Sequence, residues 1–218
     1  MVLRAGWPST AMARSTYPYN SPGKFSMKTK IPLRRCPWPG TEDALMIAYH
    51  DREWGKPVHN DQKIFEFLTL EAFQAGLSWR IILHKRENFK KAFENFDYRK
   101  IARFTARDRA RLVKDAGIVR NRLKIAATIE NARLFMEVQK EFGSFSKYMW
   151  QWVKGKPIRH RFKTLKDYPT VIPEAESWAK DLKKRGFKFL GPTVVYAHMQ
   201  AIGMVNDHTA GCFRHKQV

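Results

Sequence analysis

From about residue 42 onward, apolar residues recur at helical spacing and are interrupted by short polar loops. "DQKIFEFLTLEAFQAG" (61–76) places an N-cap at Asp61, apolar positions three and four apart, and Gly76 as a stop. Ser78 opens a second helix, "WRIILHKRENFKKAFENF". "TARDRARLVKDAG" (105–117) begins with Thr105 and Asp108 at capping-box spacing and ends on Gly117. A long amphipathic helix follows, "RLKIAATIENARLFMEVQKEF". "FSKYMWQWV", "PEAESWAKDLKKRG" and "PTVVYAHMQAIGMV" complete the set, the last opening with Pro192 at a helix-start position. Few segments alternate with period two and no internal repeat is present, so the predicted class is all-α.

The chain has 218 residues, 44% of them apolar, enough for one large domain or two small ones with a proper core. No run approaches the roughly 18 uninterrupted apolar residues of a membrane span, so no membrane partner is expected. Two cysteines are too few for a disulfide-stapled fold, and the N-terminus lacks the apolar centre of a signal peptide. The expected setting is intracellular and reducing, cytoplasmic or nucleoid-associated. Residues 1–30 are rich in Ser, Pro, Tyr and Arg, contain no acid, and are expected to form a disordered basic extension. That composition suits an organelle transit peptide; it equally suits a start upstream of the true one, because Met27 opens "MKTKIPLRRCPW".

Charge narrows the partner. Forty-one Lys and Arg against twenty acids give a net +21. Residues 1–41 hold seven of the basic residues, and the remainder still carries 34 basic against 20 acidic side chains. Such an excess favours a polyanion, and nucleic acid is expected over a merely soluble basic surface.

Four residues are candidate metal ligands. On a helix, His208 and Cys212 stand at i and i+4 and share a face, while Cys36 and His50 supply a second pair. The set has the ligand count and softness of a closed tetrahedral zinc site. The alternative is a buried free Cys beside an incidental His. The 157 residues between His50 and His208 match no zinc-finger spacing. A metal held there would tie the two ends of the domain together.

"AYHDREWG" (48–55) groups Tyr49, His50 and Trp54, and "LEAFQAGLSW" (70–79) sets Glu71, Gln74 and Trp79 around a Gly-Leu-Ser turn. A carboxylate such as Glu71 within an apolar helix is either a solvated residue or a buried group with a task. Carboxylate, amide and aromatic together are what stacking a flipped base and bonding its edge require. "LVKDAGIVRNRLKI" (112–125) reads helix, Gly-containing turn, helix. The backbone at Gly117, with Arg120, Arg122 and Lys124 beside it, can hold a DNA phosphate; the alternative is an ordinary hairpin with a basic loop. "KDLKKRGFKFLGP" (180–192) reads as a solvated basic helix face interleaved with Phe187 and Phe189.

Together "CPW" at 36–38, "AYHDREWG", "EAFQAGLSW", "KRENF", "DAGIVRNR.KI", "KKRGFKF.GPT" and "VNDH...C" resemble the DNA-3-methyladenine glycosylase I family, in family order over about 177 residues. The resemblance implies a helical fold of the helix-hairpin-helix glycosylase superfamily over residues 31–218. It implies one structural zinc per chain on Cys36, His50, His208 and Cys212. It implies hydrolytic release of 3-methyladenine from alkylated double-stranded DNA, leaving an abasic site. In the family pattern Glu71 hydrogen-bonds the extruded base, Trp79 stacks on it, and Tyr49 and Trp38 lie near the pocket. Gln74 and Met46 are placed at the base as well. Met46 stands where some relatives carry tyrosine, so it can pack against a base face but gives no hydrogen bond or cation–π contact there.

A monomeric, monofunctional glycosylase without strand-nicking activity is therefore expected. Three rivals remain at this point. A non-catalytic basic helical DNA-binding protein has no need for Glu71, Gln74 and Trp79 to cluster. A zinc hydrolase lacks both His-Glu-x-x-His and an open metal position. A glycosylase-lyase needs a free amine, and Lys124 is the candidate.

Overall fold

The computed structural model describes residues Leu33–Val218; the expectations for residues 1–30 fall outside it. Helices dominate the described residues: α1 (Ala44–Arg52), α2 (Asp61–Gln74), α3 (Trp79–His84), α4 (Arg86–Ala92), α5 (Tyr98–Ile101), α6 (Ala106–Lys114), α7 (Arg122–Phe142), α8 (Phe145–Trp150), α9 (Pro173–Lys184) and α10 (Pro192–Ala201). Two short strands, β1 (Ile158–Arg159) and β2 (Val205–Asn206), pair in parallel, a contact that no period-two pattern announced. None of these helices is long and apolar enough to cross a membrane.

The organising element is α2. Every residue from Ile64 to Phe73 is buried, as expected of a helix apolar on all sides. Its neighbours are α3, α7, α8 and α10. α7 runs antiparallel to it. Near the start of α7, Lys124 Nζ donates to the carbonyls of Phe73 and Ala75 at the end of α2. Near the end of α7, Gln139 Nε2 donates to Asp61 at the start of α2. The two ends of α2 are thus pinned by the two ends of α7.

Local capping follows the sequence in part. The Thr105–Asp108 capping box opens α6, and α7 spans the 21 residues its periodicity marks. The cap of α2 is Asn60, which accepts from Lys63 N–H, and not Asp61. Asp61 instead accepts the backbone N–H groups of Phe145 and Ser146, anchoring α8. Ser78 occupies the N-cap position of α3 but makes no side-chain cap bond. The expected single helix over 79–96 breaks at Lys85 into α3 and α4. It then ends in a turn whose Glu94, Asn95 and Phe96 all have φ between 50 and 59°.

Candidate active site and metal-ligand cluster

Cys36, His50, His208 and Cys212 converge, their ligand atoms all within 4.8 Å of one another, and all four are buried. Cys36 Sγ lies 3.5 Å from His208 Nδ1, and Cys212 Sγ lies 3.5 Å from His50 Nε2 and 3.6 Å from His208 Nδ1. Metal bonds of about 2.3 Å to sulfur and about 2.0 Å to nitrogen, at tetrahedral angles, set sulfur and nitrogen about 3.5 Å apart. The donors beyond the cluster fit as well. His50 Nδ1 bonds Asp51, which Arg35 grips with two nitrogens, leaving Nε2 for the cluster. His208 Nε2 donates to the Trp54 carbonyl, leaving Nδ1 inward. Backbone N–H groups of Thr209 and Arg214 point at the sulfurs of Cys36 and Cys212.

The facing thiols share their protons unequally. The neighbouring Cys36 thiol and then the two histidines pull the Cys212 thiol down, while Cys212 and burial push Cys36 up. This group of residues could hold a metal ion. One expectation is corrected: residues 208–212 are not helical. A turn closed by Cys212 N–H on the Thr209 carbonyl brings the four-residue spacing round instead. Gly55, at φ +77°, is required here, because a Cβ on it would lie 2.9 Å from His208 Nε2.

Beside the cluster lies a cavity of about 300 Å³. Glu71 and Gln74 reach it from one face of α2, three residues apart; Trp79 enters from the first position of α3, and Tyr49 from α1. Trp38 and Trp54 complete the aromatic side, with Tyr49 and Trp79 rings 5.2 Å apart and Trp38 and Trp54 rings 5.0 Å apart. Glu71 is buried, and among the described residues its Oε2 has no hydrogen-bond partner; neither do the indole N–H groups of Trp38 and Trp79. Burial alone pushes the Glu71 carboxyl up to about 8. Tyr49 is held protonated first by burial and then by the nearby Glu71 charge. A cavity with aromatic faces, two buried N–H donors and one unpartnered carboxyl suits a flat ligand carrying positive charge.

The segment between α6 and α7 forms the expected helical hairpin, with Arg120 and Arg122 exposed on it. Among the described residues no partner is found for the N–H groups of Val119 and Arg120, so the turn offers backbone donors at the start of α7. Gly117 does not, because its N–H is taken by Asp115 Oδ1. Lys124 is also corrected: it is buried and its amine is spent on the carbonyls of Phe73 and Ala75 where α2 ends, so it belongs to the fold and not to the hairpin surface.

Residues 38–215 match the methyladenine glycosylase family. The DNA-3-methyladenine glycosylase 1 of Escherichia coli (strain K12) is 46% identical over 180 residues, 83% of this chain and 96% of that protein. The DNA-3-methyladenine glycosylase of Haemophilus influenzae is 44% identical over 178 residues, 82% of this chain and 96% of its own length. This chain belongs to the methyladenine glycosylase family. A crystal structure of a 3-methyladenine DNA glycosylase I superposes with a TM-score of 0.80 at 46% identity, covering 83% of this chain and 98% of that one. The Staphylococcus aureus 3-methyladenine DNA glycosylase I, solved for its recognition of 3-methyladenine, gives 0.79 at 38% identity over 82% of this chain and 95% of its own.

Within this family member the cavity differs from the sequence expectation at several positions. Met46 is packed in the core and does not line the cavity. Leu165, Tyr168, Ala197 and Gln200 do line it, and the sequence reading missed them. Gln200 and Ala197 share a face of α10 at i and i−3, the one signal that periodicity could have offered. Tyr168 and Leu165 come from a loop nearly a hundred residues beyond Glu71 in the chain. Tyr168 is held by its hydroxyl on the Asp207 carbonyl. The buried Asp207 carboxylate in turn takes Tyr196, Gln200 and His160.

Proposed function

We propose that the cavity receives an extruded 3-methyladenine and that this chain hydrolyses its N-glycosidic bond in alkylated double-stranded DNA, leaving an abasic site. The observation that carries the reading is Glu71: a buried carboxyl with an unpartnered oxygen, walled by Trp79, Tyr49 and Trp38. Methylation at N3 makes the adenine cationic, so the base is a good leaving group without a strong acid to protonate it. The cation favours the indole faces. It also draws the Glu71 carboxyl from its protonated to its charged form, because an opposite charge offsets the burial that held the proton. Gln74, one turn along α2, is placed to bond a base edge. When the glycosidic bond breaks, its electron pair returns to the ring and neutralises it. Water then bonds the sugar carbon and loses a proton.

The duplex is held by charge. Arg120, Arg122 and the free N–H groups at the start of α7 take one backbone phosphate, next to the cavity because α7 begins where α2 ends. Among the described residues no lysine lines the cavity, and the Lys124 amine is bonded to backbone carbonyls. The reaction is therefore simple hydrolysis with no covalent amine intermediate. One zinc ion per chain belongs on Cys36, His50, His208 and Cys212. Four protein ligands leave no position for water, so its contribution is to hold the segments around residues 36 and 212 together. The alternative of a non-catalytic DNA-binding protein gives no account of the unpartnered carboxyl in an aromatic cavity.

The test is incubation with methylated duplex followed by chromatography of the released base, with borohydride present in a parallel reaction. Release of 3-methyladenine without a trapped protein–DNA adduct is expected. No released base from folded protein would remove the enzyme reading, and a trapped adduct would remove the monofunctional one.

A further inference from the structure

A cleft of about 570 Å³, sharing no lining residue with the base cavity, lies along α7. Leu123, Ala126 and Ala127 form its floor, with Phe104 and Phe189 on its walls. Leu123 is 70% exposed and Phe189 38%, so one cleft offers two large apolar groups to solvent. Phe189 is held there against its own preference. Its φ is +58°, a region that bulky residues rarely occupy. Buried Asn131 of α7 fixes the preceding residue, donating to the Lys188 carbonyl at 3.0 Å and accepting its N–H at 2.9 Å.

The rim is basic: Arg109, Arg133 and Lys188, against one acid, Glu130, which is paired with Arg133. Arg133 also donates to the Ala102 carbonyl, and Ala102 lines an adjoining cleft of about 540 Å³ with Arg99, Arg103, Met136 and Lys140. From Leu123 to Lys140 the two clefts follow α7 for about 25 Å at about 1.5 Å per residue.

The chemistry of the groove, more than its course, decides between occupants. The groove starts at the hairpin and runs toward the opposite end of α2, where Gln139 meets Asp61. Residues 1–32 are excluded by charge, since they carry five Lys or Arg and no acid. Phosphate tracks are built from charge and backbone N–H groups, and this floor is apolar.

We propose that the α7 groove docks an acidic segment of a partner protein. About seven or eight extended residues span it. Carboxylates of that segment face Arg109, Arg133 and the arginines of the second cleft. An aromatic or leucine side chain enters between Leu123, Phe104 and Phe189. The proposal goes beyond the glycosylase reading and does not depend on it.

The test uses the full chain and three fluorescein-labelled probes in about 0.15 M salt, followed by anisotropy. One probe is an eight-residue peptide alternating Asp with Leu or Phe. The second replaces Leu and Phe by Ser at equal charge. The third is an eight-nucleotide oligothymidylate. The first peptide is expected to bind at least tenfold more tightly than the second. Leu123→Ser, checked for an unchanged thermal midpoint, is expected to erase that difference. Equal binding of the two peptides, or a preference that survives Leu123→Ser, overturns the proposal. So does oligothymidylate that displaces the first peptide and is itself weakened by Leu123→Ser, which would assign the groove to nucleic acid.

Discussion

Tyr49 and His50 are adjacent in α1 yet serve different sites: Tyr49 lines the Glu71 cavity, while His50 Nε2 lies 3.5 Å from Cys212 Sγ in the Cys/His cluster. The same sharing recurs at Trp54, whose ring lines the cavity and whose carbonyl holds His208. The cluster therefore sets the wall of the pocket as well as joining distant parts of the chain.

Metal loss should register in stability and in the pocket together. Metal analysis of purified protein is expected to give one zinc per chain. Cys212→Ala should lose it and lower the thermal midpoint by about 10 °C or more, since each kcal/mol is worth about 2–4 °C at this size and structural zinc contributes several. Full stability of Cys212→Ala with no zinc in the parent would contradict the cluster's assignment.

Glu71 should be a liability to the fold. Burial raises its carboxyl from the ordinary 4.5 to about 8, so the folded state keeps a proton that the unfolded chain has released. The contribution is fully present below pH 4.5 and is lost as pH rises through about 8. Glu71→Gln has no such group. Denaturant titrations should therefore show the variant gaining on the parent between those limits, by roughly 1.4 kcal/mol at most per pH unit. Parallel pH profiles for the two proteins would show that Glu71 is not buried in this way.

His198 makes the opposite prediction. It is fully buried, both ring nitrogens lack partners among the described residues, and burial pulls it down to about 3 from 6.5. The unfolded chain takes up the proton first, so this contribution is present above pH 6.5 and is lost as pH falls toward 3. His198→Phe should flatten the acid limb of the stability profile. It should also stabilise at pH 7 by about 1–3 kcal/mol, by removing two unsatisfied polar atoms. Urea titrations at about pH 7.5 and about pH 5, on either side of the ordinary imidazole range, check both points.

Arg120 and Arg122 should act without regard to damage. Replacing both by Ala should weaken binding to undamaged and methylated duplex alike. It should also make the logarithmic salt dependence shallower by about 0.9, the share of the one phosphate they neutralise. An effect confined to damaged DNA would move these side chains into the pocket.

Local features are legible in the sequence and distant ones are not. The limits of α7 and the Thr105–Asp108 capping box depend on bonds spanning three or four residues, and those are written in local order. Glu71, Gln74 and Trp79 are legible as a set because one helix end and one turn present all three. Asp61 looks like a cap, yet its carboxylate reaches α8, 84 residues on, which no local pattern records. Lys124 looks like a surface cation of the hairpin; only the antiparallel packing of α7 on α2 turns its amine inward. The Tyr168 side of the cavity is hidden for the same reason, as its position depends on Asp207, 39 residues further along.

The central claim is that Glu71 and Trp79 form the base pocket, and single-turnover excision from a methylated duplex tests it most directly. Binding to an abasic-site duplex is followed alongside. Trp79→Ala removes a stacking face worth roughly 1–3 kcal/mol, so excision should fall about 5- to 150-fold while duplex affinity stays nearly level. Glu71→Gln keeps the shape of the side chain but not its charge, and should lower excision more than it lowers DNA affinity. Full-rate release of 3-methyladenine by both variants would contradict the account, placing the pocket elsewhere in a chain that would still belong to its family.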